Sequence, residues 1–381
     1  MFPISLGQLD IKLISILIAS IFCFFNRLIN QYEGSLLLDN VILTNLYIHF
    51  AGIFSIIPLI IIKIRAKQVT NGNIEEINND KGIEYIQTEI NIKVISGKWK
   101  FLILLTLIYF VDSIMFVLTF EVKTNVWVWF IVFSSFLYYL IFKIKLFKHH
   151  YISVALIILI GFIIDPLIGN LQNDFSNGRN VLLLSLNFIR VILLSLYYVV
   201  AKYTMEQKFC SLYQLNFFIC LIIFIIYGIL LFFDYNYIGL YDYKEYYNNF
   251  NSTELLVALG VMATQFGKDM GVLNADKYYS PCHIFIIFVF GQLAYYTDLS
   301  KKYSIIVIIS LLLMLFLSLI FNELIEINFC GLSYNTRRNI MNRANLENEE
   351  NLLFMIKSDV NDINSQKDDI LLELAENEIY N

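Results

Sequence analysis

The chain has 381 residues, 58% hydrophobic and 15% charged, with a formal net charge of −5 and a mean hydropathy of +0.65. Soluble domains carry about 25% charged residues, so a water-soluble globule is excluded. The apolar runs are continuous and rich in Ile, Leu and Phe, which also excludes a membrane β-barrel of alternating strands.

Ten apolar blocks have the length that crosses about 30 Å of hydrocarbon. They lie near residues 10–29, 42–63, 99–120, 125–143, 150–168, 181–203, 212–233, 254–274, 281–298 and 303–325. The first has Asp10 and Lys12 in balance before a long apolar run. That flank is wrong for a cleaved signal peptide, so the block is expected to stay as helix 1. Asn26 in helix 1 and His49 in helix 2 are polar candidates for a cavity wall. Residues 66–98 read as a polar loop.

Helix 3 carries Asp112 in "YFVDSIMFV", and helix 6 carries Arg190 in "SLNFIRVILLSL". An arginine at mid-membrane costs roughly 2.5–3.5 kcal/mol on insertion scales. It must face the bundle interior, a partner or water. Arg190 either lines a cavity and grips an anionic group through its planar fork, or forms a structural ion pair with Asp112. A cargo competing for a paired Arg190 would unite the two readings.

The link 234–252 is tyrosine-rich and leads into a glycosylation sequon, Asn251-Ser252-Thr253, almost on the membrane. Helix 8 contains "ATQFGKDMG", residues 263–271. Ala263, Gly267 and Gly271 recur every four residues and predict a close helix contact. Gln265 is a hydrogen-bonding cavity candidate. Lys268 either binds anionic cargo or snorkels to the surface. Asp269 points about 100° away from Lys268 on a helix, so only one of them is expected on the cavity face.

Ser280 and Pro281 predict the start of helix 9, with an N-cap and a proline in the first turn. The free N–H groups there would make a generic anion site. Cys282 and His283 are adjacent and make no metal site by themselves. None of the five cysteines has metal-ligand spacing, so no metal, cofactor or required disulfide is expected. Glu323 and Glu326 leave helix 10 near the interface and are expected to be solvated. The tail 327–381 is acidic. Its aliphatic row from Leu353 to Leu374 reads as a disordered tail or a short coiled coil.

Lys and Arg concentrate after the even-numbered helices, as in Lys63 to Lys100 and Lys143, Lys145 and Lys148. This places those links, and with ten helices both termini, in the cytosol. "HHYISVALIILI" (149–160) and "KKYSIIVIISLL" (301–312) each join a basic pair, a tyrosine and an aliphatic helix. They open helices 5 and 10. An odd offset of five helices is the mark of an inverted repeat. The expected fold is therefore an all-α membrane protein of ten transmembrane helices in two inverted five-helix repeats, 1–168 and 169–326, with the tail outside.

Four stretches carry a family likeness: "LIFKIKLFKHHYISVALIILIG" (140–161), "YYVVAKYTMEQKFCSLYQLNF" (197–217), "YYSPCHIFIIFVFGQL" (278–293) and "FNELIEINFCGL" (321–332). Together they resemble the drug/metabolite transporter superfamily, which includes nucleotide-sugar and triose-phosphate translocators, over roughly residues 10–332. The resemblance implies alternating-access exchange of an organic solute, and an endomembrane location (Golgi, ER or vacuole) ahead of the plasma membrane. No strict substrate motif is present.

Arg190 and Lys268 favour anionic, nucleotide-sugar-like cargo. Asp112 and Asp269 would instead serve cationic or drug-like cargo. A scaffold or receptor with the same fold is the other alternative. No G-x-S-x-G, H-E-x-x-H or paired catalytic carboxylates mark an enzyme. The expected partners are a small organic solute and the lipid bilayer, not nucleic acid. A second copy of the chain, or a protein that binds the tail, would be a further partner.

Overall fold

The computed structural model describes residues 4–6, 13–29, 40–62, 64, 92–119, 128–143, 146–172, 178–208, 210–238, 243–248, 250–296 and 304–327. The tail beyond residue 327, and most of the expected polar loop, lie outside the described residues. The principal helices are α1 (Leu13–Ile29), α2 (Val41–Ile53), α3 (Ile92–Thr119), α4 (Val128–Phe142) and α5 (Lys148–Gln172). They continue with α6 (Gly178–Gln207), α7 (Leu212–Phe233), α8 (Ser252–Tyr278), α9 (Ile284–Gln292) and α10 (Ser304–Phe321). A short helix, Tyr243–Asn248, precedes α8. Two three-residue strands, β1 (Ile4–Leu6) and β2 (Ile325–Ile327), pair antiparallel, with Ile4 opposite Ile327. The segment before α1 and the segment after α10 therefore meet.

Each apolar block of the sequence holds one of these helices, because a helix satisfies its own backbone where water is absent. Among the described residues, four helical stretches are long and apolar enough to cross a membrane: Val41–Ile62, Lys98–Phe116, Val181–Gln207 and Leu212–Asn236. The apolar stretches of α1, α4, α5, α9 and α10 are shorter. Helix α3 begins at Ile92, inside the segment expected to be loop. Large side chains such as Leu256, Ile103 and Phe162 face outward. An apolar girdle of this kind is unsuited to water, and with the four long helices it marks a membrane protein.

Helix α2 breaks at Phe54 and Ser55 and is helical again over residues 56–62. The cause is Pro58, which lacks an N–H and collides with the carbonyl four residues back. Shorter bonds replace the lost one: Ser55 N donates to Gly52 O at 3.1 Å and Ile57 N to Phe54 O at 3.0 Å. Asn216 of α7 reaches into the break, its Nδ2 donating to Gly52 O and to Ser55 Oγ, both at 3.4 Å. Other buried hydroxyls bond back within their own helix, as Ser20 does to Ile16 O and Thr106 to Leu102 O. Such local bonds remove the cost of an unmet donor in an apolar interior.

Helix α8 is the polar centre. It carries Glu254, Lys268, Asp269, Asp276 and Lys277, and it packs against α1, α2, α6, α7 and α9. The other main pairings are α1 with α9, α6 with α3 and α4, α2 with α7, α3 with α7, α5 with α10, α4 with α5 and α9 with α10. The contact of α1 with α8 depends on glycine. A Cβ on Gly271 would stand 2.5 Å from Ala19 Cβ, and one on Gly267 2.6 Å from the Phe22 ring.

Ala263, expected in this seam, is instead exposed. A spacing of four drifts around a helix of 3.6 residues per turn. The true seam alternates four and three through Gly260, Thr264, Gly267 and Gly271. Gly260 lies under Ile29, and Thr264 accepts from Asn26 Nδ2 at 3.2 Å.

Asn251 of the sequon is the N-cap of α8, its Oδ1 accepting from Thr253 N at 2.9 Å and Glu254 N at 3.0 Å. Asn251→Ala is expected to cost about 1 kcal/mol by removing the cap. Asn251→Asp keeps the cap and removes the sequon. Its melting temperature in detergent should match wild type, and a melt lowered as far as in Asn251→Ala would show that the cap is not the reason.

Candidate functional site

A cavity of about 140 Å³ lies between helices of both chain halves. The first half supplies Asn26 and Arg27 of α1, Val41, Thr44, Asn45 and Ile48 of α2, and Tyr109, Asp112, Ser113 and Phe116 of α3. The second supplies Arg190, Leu194 and Tyr198 of α6, Gln265, Lys268 and Asp269 of α8, and Phe288 of α9. Five of the six cavity candidates named from sequence are thus brought together.

Arg190 sits about 14 Å along its helix from Val181, at 1.5 Å per residue. Its Nε donates to Asp112 Oδ1 at 3.0 Å, and the two side chains are 15% and 10% exposed. The guanidinium also stacks over the Phe116 ring, 4.6 Å from its centroid. The pair is desolvated enough to be strong and open enough for a solute to reach.

A second polar group faces it from α8. Gln265 Nε2 donates to both carboxylate oxygens of Asp269 at 3.0 Å, and Lys268 Nζ donates to Gln265 Oε1 at 2.8 Å. Lys268 Nζ is also 3.8 Å from Asp269 Oδ1. The expectation that one face cannot hold both Lys268 and Asp269 is therefore corrected. Their Cα–Cβ vectors diverge, but the long Lys268 side chain reaches back to Gln265, which one turn earlier also holds the short Asp269 carboxylate.

His49 does not line this cavity. Its ring is buried behind the wall, stacked at 5.8 Å on Tyr227 and edge-on at 5.7 Å to Tyr109. Arg27, Tyr109 and Tyr198 do line it and were not singled out from sequence. Arg27 reads as a loop residue at a helix end, and nothing sets these tyrosines apart among the chain's 25.

Tyr109, Tyr198 and Asp269 also bound a smaller void of about 20 Å³, completed by Tyr197, Asn216, Ile219, Cys220 and Leu273. Tyr197 lies 5.2 Å from Tyr109 and 5.0 Å from Tyr198 between ring centroids. These rings partition the two spaces. Beyond them the buried Lys202 locks the ends of α6 and α8. Its Nζ donates to Asp276 O at 2.8 Å and Lys277 O at 3.3 Å and pairs with Glu206 at 2.7 Å.

The start of α9 differs from expectation. Ser280 and Pro281 do open it, through a 3-10 turn. However, the Ser280 hydroxyl bonds His283 Nδ1 at 2.8 Å instead of capping a backbone N–H. Pro281, Cys282 and His283 are buried and none of them lines the cavity, so this helix start does not serve it as an anion site.

Fold and cavity together define a helical membrane protein with a charged internal chamber. Comparison with protein-family models and with curated proteins finds no match to this chain.

Proposed function

We propose that the chain is an alternating-access carrier for a small organic anion. One observation carries this reading: a cavity built from both chain halves sets Arg27, Arg190 and Lys268 beside Asp112 and Asp269. Cations on three helices, α1, α6 and α8, line one space, and an anionic solute can compete with the carboxylates for their donors. Arginine suits phosphate or carboxylate because its fork matches their geometry.

The packing supports two inverted five-helix repeats. Exchanging each helix n with helix n+5 turns α1–α8 into α6–α3, α1–α9 into α6–α4, α2–α8 into α7–α3 and α4–α5 into α9–α10. The pairs α2–α7 and α5–α10 map onto themselves. All of these pairings occur. Such a two-fold relation lets one half rock against the other about a central site. Ten crossings would put both ends of the bundle on one side, which agrees with the pairing of β1 with β2. The basic links make that side the cytosol. The likeness to drug/metabolite transporters fits the same architecture.

In this arrangement the cavity reaches toward the side where α1 ends and α2 begins, and the tyrosine layer and Lys202 close the opposite side. An engineered apolar cavity of roughly 150 Å³ admits benzene, so this chamber suits one anionic head group with a small body. A nucleotide-sugar-sized cargo would require the halves to part further.

The test is exchange in proteoliposomes preloaded with nucleotide monophosphates. Labelled nucleotide sugars, sugar phosphates, small carboxylates and an organic-cation panel are offered outside. Saturable uptake of one anionic class is expected. Uptake of cations alone would reverse the charge assignment, and no uptake of either class by folded protein would favour a scaffold role.

A further inference from the structure

We propose that His149, His150 and Glu323 form a binding site for one divalent transition-metal cation of the Zn2+ type, clamping α5 to α10. Neither histidine takes part in the transport reading, and the site lies at the helix ends, away from the central cavity. The inference holds whether or not the chain carries an anion.

The three side chains each bring one ligand atom, and these atoms all lie within 4.8 Å of one another. His149 Nε2 and Glu323 Oε1 are 3.1 Å apart, and the two imidazole rings are 3.9 Å apart between centroids. Ligand atoms around a tetrahedral Zn2+ stand about 3.4 Å apart, given metal–ligand bonds of roughly 2.1 Å. Side-chain rotation that closes the widest pair, at most 4.8 Å apart, by up to about 1.4 Å would reach that geometry. Two imidazoles and one carboxylate make a donor set that selects borderline cations such as Zn2+ over Mg2+ or Ca2+. Three protein ligands leave a fourth position for water or another donor.

Two features independent of the cluster's composition point the same way. First, His149 is buried at 3% exposure, and its Nδ1 has no hydrogen-bond partner. With Nε2 beside Glu323, a neutral ring leaves an unmet nitrogen in the interior. A cation bound through Nδ1 would meet that nitrogen while Nε2–H still donates to Glu323. Phe147 N–H donates to His150 Nδ1 at 3.1 Å and orients the second ring. Ligation through that nitrogen would exchange this bond for a metal bond.

Second, Glu323 has φ 58°, the left-handed region where glycine is usual. It ends α10 in a Schellman turn: Leu324 N bonds Leu319 O at 2.9 Å and Glu323 N bonds Ile320 O at 3.1 Å. A carboxylate residue in place of glycine is strained, and here the strained turn sets its oxygen against His149. Strain of this kind is a pointer to function.

The experiment titrates purified full-length protein in detergent with Co2+, as a spectroscopic probe, and with Zn2+. One equivalent of Co2+ with d–d absorption, displaced by Zn2+, is expected. Zn2+ should raise the melting temperature, and chelation should reverse the rise. His149→Gln and Glu323→Gln should weaken binding by at least about 10-fold and abolish the thermal shift. X-ray absorption at the zinc edge of wild type should give two imidazoles, oxygen and no sulfur, a readout that stands even if a variant misfolds. Absence of Co2+ absorption in folded wild type, sulfur in the coordination sphere, or unchanged binding in both variants would overturn the site.

Discussion

Arg190→Gln is expected to weaken anion uptake severely. The substitution removes the charge-assisted donor at the cavity wall. Bonds of that kind contribute about 1.5–3 kcal/mol, which corresponds to roughly a 10–100-fold rise in the cargo concentration needed for half-maximal uptake. The single variant also leaves Asp112 as an uncompensated buried charge, which costs about 3–5 kcal/mol of stability.

A loss of uptake alone would therefore not separate cargo binding from folding. Arg190→Gln/Asp112→Asn removes both charges and leaves a neutral polar side chain at each position. It should recover most of the lost melting temperature and none of the uptake. Wild-type uptake by the double variant would make the pair at 3.0 Å purely structural. The anion would then have to be held by Lys268 and Arg27 alone.

Gly271→Val is expected to be the most damaging single change in the helix seams. Its first added carbon would meet Ala19 Cβ at 2.5 Å and Ala19 Cα at 2.9 Å. Backbone cannot rotate away as a side chain can, so α1 and α8 must separate. Overpacking costs about 1–3 kcal/mol where neighbours adjust, and more where they do not. This contact belongs to the second class, so a loss of at least about 3 kcal/mol is expected.

Gly228 provides the control, because nothing lies within 4 Å of a Cβ built there. Gly228→Ala should be neutral or stabilise by up to about 1 kcal/mol through helix propensity. Thermal unfolding in detergent reads both. A Gly271→Val melt equal to wild type would mean that α1 and α8 do not meet through these residues.

Gly271 lies on α8, the helix where reading the sequence and seeing the packing diverge most. The stretch "ATQFGKDMG" was legible as a close-packed, charged segment. Which of its residues pack and which face the cavity was not. Ala263 is exposed while Gly260 and Thr264 meet α1, because a seam between two helices follows alternating steps of three and four, not a fixed step of four. Asp269 joined Lys268 in the cavity because Gln265 bridges them, and side-chain reach is invisible to a helical wheel. Glu323 looked like a solvated interface residue, yet a left-handed turn brings it to His149.

What the chain's order of residues determined by itself was the set of helices. Runs of about 20 apolar residues have no stable alternative in hydrocarbon, where each backbone group must bond within its own segment. The cost of an intramembrane charge likewise marked Arg190 and Asp112 as facing inward before any geometry was known. Tertiary structure decided everything that depends on two helices meeting: the Arg190–Asp112 bond, the tyrosine layer between the two voids, and the His149–His150–Glu323 cluster at the junction of α5 and α10. Those contacts join residues up to 174 positions apart. They are fixed by which helix faces interlock, and no local property of the chain encodes that choice.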